Sequence, residues 1–335
     1  MSENDRTFVP SEGSDFDKPT LLSTESGAQV SQQDASVHEL NIPGYDVIEE
    51  IARGGMGRIL RAFDLTLERE VALKILLAGA PASRFIRESK ITARLNHPGI
   101  PPIHAMGTLD SGESYLAMRL VVGHTMAKEM ESEKSSLLET FYQVCHAVGY
   151  AHSRGIIHRD LKPANVMVGE FGEVQVMDWG LARDLSDTDP EDLSPVESGS
   201  ASNTVVAPNL AGSSVDSKSS GIRRTAQSSA RDVTVLGSVM GTPSYMAPEQ
   251  ARGEPADQRA DVFALGAMLC EILTGSPPFV GTNAVGLIQQ AAAGKLGDAI
   301  QRLDASSADK DLVDLCKACL SPERDQRPKN AGEIQ

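Results

Sequence analysis

Apolar residues are unevenly spread along this chain of 335 residues. From Met1 to about Asn41 it is rich in Ser, Asp, Glu and Gln and shows no apolar period. Such a segment, residues 1–42, buries too little apolar surface to offset the entropy of ordering, and is expected to be a disordered acidic tail. Ordered structure is expected from about residue 43. Tyr45, Val47, Ile51 and Ile59 mark two strands either side of Arg53-Gly54-Gly55-Met56-Gly57. Val71-Ala72-Leu73-Lys74-Ile75-Leu76 reads as a third strand, with one basic residue among apolar ones. Phe85, Ile91 and Leu95 then recur at helical spacing over Ser83 to Leu95, with Glu88 between them, and His97-Pro98 ends that helix. Two more strands follow around Asp110-Ser111-Gly112-Glu113, the second running from Tyr115 to Val122.

Gly123 marks the passage from a small strand-rich part, about 43–122, to a larger helical part, about 123–335. Leu137, Leu138, Phe141, Val144, Cys145 and Val148 make residues 136–153 a one-sided apolar helix, with Gly155 suited to its C-terminal cap. Asn165-Val166-Met167-Val168 and Val174-Gln175-Val176-Met177 alternate as a hairpin. Asp261 to Thr274 is apolar on most faces and is expected at the buried centre of the larger part, closed by Gly275. Between Asp184 and about Asp232 a Ser-, Asp- and Gly-rich stretch breaks the pattern, and a loop that long is either regulatory or a spacer. After Arg327-Pro328 the chain is expected to enter a final helix that Gln335 cuts short.

Composition narrows the function classes. A formal net charge of −15 argues against nucleic acid as the main partner, which needs clustered Lys and Arg. No uninterrupted apolar run approaches a bilayer span, and Met1-Ser2-Glu3-Asn4-Asp5 lacks a signal peptide's basic and apolar regions, so a cytoplasmic location is expected. Cys145, Cys270, Cys316 and Cys319 suggest a reducing compartment. Cys316-Lys317-Ala318-Cys319 has the spacing of a zinc or redox pair. It lacks a second Cys or His pair and sits in an apolar-periodic stretch, so it reads as two buried helix cysteines. His146 and His152 read as ordinary structural or surface histidines.

Candidate chemistry concentrates in Ile157-His158-Arg159-Asp160-Leu161-Lys162-Pro163-Ala164-Asn165. Pro163 removes a backbone donor and turns Lys162 away from helical angles, which makes a loop. Asp160 can accept the proton of an attacking hydroxyl, Lys162 can neutralise a transferring phosphoryl group, and Asn165 can offer an oxygen to a metal ion. The Gly54-Gly55-Met56-Gly57 turn lets backbone amides approach phosphates, although a plain strand connection accounts for it equally well. A dinucleotide fold would need a helix directly after the glycines, where Arg58 to Phe63 reads as a strand. Lys74 is either snorkelling at a sheet edge or held for an anion and a carboxylate, and Glu88 is either solvated or that partner. Asp178, at a strand end before Trp179-Gly180, is placed to hold Mg²⁺ against nucleotide phosphates.

Gly54-Gly55-Met56-Gly57, Val71-Ala72-Leu73-Lys74, His158 to Asn165, Asp178-Trp179-Gly180, Gly241-Thr242-Pro243-Ser244-Tyr245-Met246-Ala247-Pro248-Glu249 and Asp261-Val262-Phe263-Ala264-Leu265-Gly266 occur in one order. Over about Tyr45 to Pro328 the sequence thus resembles a protein kinase catalytic domain, in the style of the eukaryotic-like (Hanks-type) serine/threonine kinases of bacteria. The resemblance implies an α+β, two-lobed protein kinase-like fold, with a β-rich N-lobe carrying one key helix and a mainly helical C-lobe. It implies ATP and Mg²⁺, with Mn²⁺ as an alternative metal, and transfer of the γ-phosphoryl group to Ser or Thr hydroxyls of protein substrates. By the same resemblance Lys74 binds the α and β phosphates and pairs with Glu88, Gly54, Gly55 and Gly57 lie over the phosphates, and Ile51, Ile59 and Ala72 meet the adenine. Asp160 is then the catalytic base with Lys162 beside it, Asn165 and Asp178 hold the metal, and Met118 is the gatekeeper. Lys162 with Thr242 matches the serine/threonine class, and Glu249 with Arg327 the buried ion pair that fixes the end of the activation segment.

Some positions depart from that pattern. Ala52 stands for the first glycine of the loop, Trp179 for the Phe after the metal-binding Asp, and Arg119 for an acidic hinge residue. The 184–232 stretch lies within the activation segment. Arg159, before the catalytic Asp, implies pairing with a phosphorylated residue there, the candidates being Thr225, Ser228, Ser229, Thr234 and Ser238, with Thr234 favoured. Autophosphorylation through self-association is the regulation this implies. A scaffold acting only by contact is the competing class, and it predicts loss of Lys74, Asp160, Asn165 or Asp178.

Overall fold

The structure, a computed structural model, describes residues 40–54, 57–77, 82–132, 136–186 and 242–335. The expected tail up to residue 39, Gly55 and the five candidate phosphorylation sites lie outside the described residues. No helix among the described residues is long and apolar enough to cross a membrane.

The N-terminal part is a sheet of β1 (Tyr45–Arg53), β2 (Gly57–Asp64), β3 (Arg69–Leu76), β4 (Ile103–Thr108) and β5 (Ser114–Arg119), with α1 (Ala82–Ala93) between β3 and β4. Strand order is β1-β2-β3-β5-β4, every neighbouring pair antiparallel. Leu60, Ala62, Val71, Leu73, Ile75 and Ala117 pack one face into an apolar core. β3 is central, so Lys74 is not an edge lysine; it lies on the face opposite Leu73, next to the buried Ala72. α1 packs Phe85 against Leu76 and Leu116, while Ile91 reaches the core of the larger part.

β5 stops at Arg119, before the expected Val122. The next strand, β6 (Gly123–Thr125), turns to the other part of the molecule and pairs with β8 (Val166–Gly169), which also pairs with β9 (Val174–Val176). Gly123 permits this contact, since a Cβ there would lie 2.1 Å from the Val168 carbonyl oxygen.

The remaining elements are α2 (Met126–Met130), α3 (Leu137–Ser153), β7 (Ile156–Ile157), β10 (Arg183–Asp184), α4 (Pro248–Ala251), α5 (Gln258–Thr274), α6 (Ala284–Ala292), α7 (Gly297–Ala305) and α8 (Lys310–Cys319). Gly155, at φ +73°, follows α3 and donates to the His152 carbonyl. α5 is buried continuously from Ala260 to Cys270 and forms the centre of the main core, packed by α3, α7 and α8. Asp257 caps its start by accepting from Arg259 N, and Gly275 at φ +74° ends it. All four cysteines are buried free thiols.

Asp184 belongs to the fold, because β10 pairs with β7 and Asp184 accepts from Arg94 Nη2 at 2.7 Å. After Pro328 the described residues form a 3₁₀ turn, Ala331–Glu333, which Asn330 caps, and Ala331 N donates to His152 Nδ1.

Candidate active site

The loop between β7 and β8 owes its shape to α5. Asp261 Oδ2 accepts from His158 N at 2.7 Å and Oδ1 from Arg159 N at 2.8 Å, which holds Arg159 at φ +72°. Gln250 Nε2 donates to the Arg159 carbonyl at 2.9 Å, fixing the next peptide from α4. His152 Nε2 lies 2.9 Å from Asp261 Oδ2. Because His152 Nδ1 accepts from Ala331 N, the proton sits on Nε2 and is donated to the carboxylate. Full burial works to raise the Asp261 carboxyl, but His152 and His158 outweigh it and hold it below the usual carboxylate range.

Asp160 is fixed at both oxygens. Oδ1 accepts from Thr242 N at 2.9 Å and Thr242 Oγ1 at 3.2 Å, while Oδ2 accepts from Asn165 Nδ2 at 3.2 Å and lies 3.1 Å from Lys162 Nζ. Lys162 Nζ also donates to Thr242 Oγ1 at 2.7 Å. Pro163–Asn165 is a 3₁₀ turn whose Asn165 N donates to the Lys162 carbonyl, so Asn165 points back at Asp160. Both Asn165 amide hydrogens go to Asp160, to its carbonyl at 2.8 Å and its carboxylate, which leaves the Asn165 side-chain oxygen as the group available for ligation.

Across the cleft, Lys74 Nζ pairs with Asp178 Oδ1 at 3.4 Å. Asp178 follows β9 at φ +56°, a strained angle for a residue other than glycine. Desolvation pushes its carboxyl up, but Lys74 and His158 overcome this and leave it below the usual range. Trp179 lies buried against the His158 ring, centroids 4.7 Å apart, with Nε1 donating to the Val176 carbonyl. Gly180 lies among the charged groups: a Cβ there would be 3.0 Å from Asp178 Oδ1, 3.7 Å from Glu88 Oε2 and 3.9 Å from Lys74 Nζ. Glu88 of α1 thus shares one small region with Lys74 and Asp178.

Register sets the cleft's upper face. Ile59 is opposite Lys74, and Ala72 is opposite Met118, so these four share one side of the sheet. Ile51 falls in a register irregularity between Glu50 and Ala52 and stands 46% exposed at the mouth. Gly54 N donates to the Gly57 carbonyl, closing the turn between β1 and β2. A Cβ on Gly57 would lie 2.6 Å from the Ile75 carbonyl oxygen, so the sheet alone demands that glycine.

Below the loop, Arg327 Nη1 and Nη2 donate to Glu249 Oε1 and Oε2 at 2.8 and 2.9 Å, both side chains buried. Arg327 also donates to the Ser321, Arg259 and Pro322 carbonyls and lies over the Phe263 ring. The sequence points to no role for Gln250, to His152 only as an ordinary histidine, and to Asp261 only as the start of a helix and of one motif of the resemblance. The available signal was the lone carboxylate in Ala260-Asp261-Val262-Phe263, which a buried helix tolerates only with partners.

With this arrangement in view, comparison with known proteins is specific. Residues 45–223 and 220–334 match the model of the protein kinase domain, and the chain belongs to that family. It is 31% identical over 311 residues to serine/threonine-protein kinase PknD of Protochlamydia amoebophila, covering 87% of this chain and 29% of that protein. It is 36% identical over 255 residues to PknD of Chlamydia caviae, covering 70% of this chain and 24% of that protein. It is 33% identical over 303 residues to serine/threonine-protein kinase PknB of Mycobacterium tuberculosis, covering 87% of this chain and 42% of that protein. The chain therefore spans between about a quarter and two fifths of the length of these curated relatives.

Proposed function

We propose that the chain is an ATP-dependent protein kinase that transfers the γ-phosphoryl group to serine or threonine hydroxyls of protein substrates. The observation that carries this reading is one connected cluster, Asp160, Lys162, Asn165 and Thr242, facing a Lys74–Asp178 pair across a cleft. The names of its relatives support the class of acceptor.

Asp160 receives the hydroxyl proton of the substrate. Its main contribution is to hold the hydroxyl in line, as a loose phosphoryl-transfer transition state requires. Lys162, bound to both Asp160 and Thr242, places a positive charge beside the transferring group. Lys74 neutralises the α and β phosphates, with Glu88 beside it. Gly54, Gly55 and Gly57 cover the phosphates, and Ile51, Ile59 and Ala72 enclose the adenine in front of Met118.

The residues also fit a hard divalent cation. No group of three or more His, Cys, Asp or Glu side chains that could hold a metal occurs among the described residues. The ligands on offer are the Asp178 carboxylate and the Asn165 side-chain oxygen, which suits Mg²⁺, or Mn²⁺, completed by phosphates and water. When bound, the ion neutralises charge on the phosphates. A cytoplasmic location is supported by the four free thiols. Autophosphorylation in the segment holding Thr234, between copies of the chain, is the regulation this reading carries.

The test is phosphate incorporation from γ-labelled ATP with Mg²⁺, comparing the wild type with Asp160→Asn and mapping modified residues by mass spectrometry. Incorporation on Ser or Thr that disappears in Asp160→Asn is expected. ATP binding without incorporation in either protein would favour a contact-only scaffold.

A further inference from the structure

We propose that Arg94 and Asp184 are a positioning pair for the transfer reaction: their ion pair clasps the end of α1 to the strand that follows Asp178, and so keeps Glu88 beside Lys74. The role rests on the phosphoryl-transfer reading.

Glu88 sits on α1 and Lys74 on β3, so whether they meet depends on how α1 is rotated about its own axis. A side-chain end about 5–6 Å from a helix axis moves by about 2 Å for a rotation of about 20°, enough to break a hydrogen bond. Apolar contacts hold α1 to the molecule, through Phe85 against Leu76 and Leu116 and through Ile91 against the main core, but such contacts are non-directional. Ser89 and Thr92 turn their hydroxyls inward, donating to the Phe85 and Glu88 carbonyls of the same helix. Arg94, in the turn that closes α1, reaches outward: its amide donates to the Ile91 carbonyl, and its Nη2 to Asp184 Oδ2 at 2.7 Å.

The acidic half of the clasp is built into the fold. The Asp184 side chain is only 10% exposed. Its Oδ1 accepts from Ser186 N at 2.9 Å and Ser186 Oγ at 2.6 Å, which leaves Oδ2 to Arg94. The bonds from Ser186, with that from Arg94 adding to them, hold the carboxyl below the usual range against its burial, so it is charged at neutral pH. β10 pairs Asp184 with Ile156, and Leu185 N donates to the Gly155 carbonyl at 2.8 Å. The carboxylate is thereby fixed to β7, the strand that leads into the Asp160 loop.

α1 therefore meets the Asp178–Asp184 segment at two separate points. A Cβ on Gly180 would lie 3.7 Å from Glu88 Oε2, and Arg94 takes Asp184 at the far end of the segment. One point of attachment leaves a helix free to turn, and two remove that freedom. The Arg94 side chain is 58% exposed, so its loss opens no cavity and lets water take its place on Oδ2. The fold then keeps most of its stability while α1 loses its anchor.

In the full chain, Arg94→Met is expected to lower the initial rate of phosphate incorporation from γ-labelled ATP about tenfold, with the thermal midpoint within about 2 °C of wild type. Arg94→Lys keeps a cation for Asp184 and should keep most of the rate. On a Glu88→Gln background, where no carboxylate remains to be aimed, Arg94→Met should take nothing more from the residual rate. Full rate in Arg94→Met, the same tenfold loss repeated on Glu88→Gln, or a midpoint that falls in step with the rate would overturn the proposal. Hydrogen–deuterium exchange reads the clasp without activity: Arg94→Met should exchange faster than wild type in α1 and no faster in α3 and α5. If the wild type transfers no phosphate, the kinase reading fails by itself, and unchanged exchange in α1 would then sink the clasp as well.

Discussion

Thr242 ties two members of the reactive cluster together, because its amide and hydroxyl both bind Asp160 and its hydroxyl also takes Lys162. Removing the hydroxyl leaves the amide bond in place but frees the carboxylate and the ammonium to drift. Thr242→Ala is therefore expected to lower kcat about 10²-fold with the KM for ATP little changed, and Thr242→Ser to keep most of the rate. Steady-state kinetics on both variants check this; equal losses in the two would show that the hydroxyl is not what matters. Asp160, Lys162, Asn165, Lys74 and Asp178 were all legible in the sequence, because each is a charged or polar residue at a fixed offset in an unusual loop or strand. Gln250 was not. Its contribution is a single bond to a backbone carbonyl 91 residues away, which leaves no mark on local pattern.

At the scale of elements, α5 supports the loop between β7 and β8 and is itself packed by α8. Asp261 binds two loop amides and His152, so Asp261→Asn is expected to cost about 3 kcal/mol at neutral pH in urea unfolding. The folded Asp261 carboxyl sits below its ordinary 3.8, so its contribution is complete above that value and is lost as pH falls through the folded value. Wild-type stability should thus decline below about pH 4, and Asp261→Asn should show a flatter acid limb in the same titration. Gly266 tests the helix contact. Gly266→Ala gains about 1 kcal/mol of helix propensity, yet must push a Cβ into Cys319, an overpacking cost of about 1–3 kcal/mol. A lowered thermal midpoint is expected, and a raised one would mean that α8 can retreat cheaply.

For the whole molecule, the bidentate Glu249–Arg327 pair ties α4, and with it the Thr242–Ala251 segment, to the chain beyond α8. Breaking it by Arg327→Met leaves a buried carboxylate, and should cost about 3–5 kcal/mol in denaturant unfolding. Adding Glu249→Leu to that variant should recover part of the loss, because the stranded charge is then gone; no recovery would assign the cost to the carbonyl bonds of Arg327 instead. Strand and helix identities, the two-part division and the polar residues of the candidate site were legible in the sequence itself, since period, turn residues and charged residues in apolar runs are local signals. What only the tertiary structure decided is where those signals meet. β5 ends at Arg119 because Gly123 lets the next strand approach Val168, and Asp184 pairs with Arg94 rather than beginning a loop. Lys74 is central because β5 inserts beside β3, and Cys316 donates to the Gly266 carbonyl 50 residues away. Each depends on a close approach between residues distant in the chain, and the free energy of such a contact is written in neither residue alone.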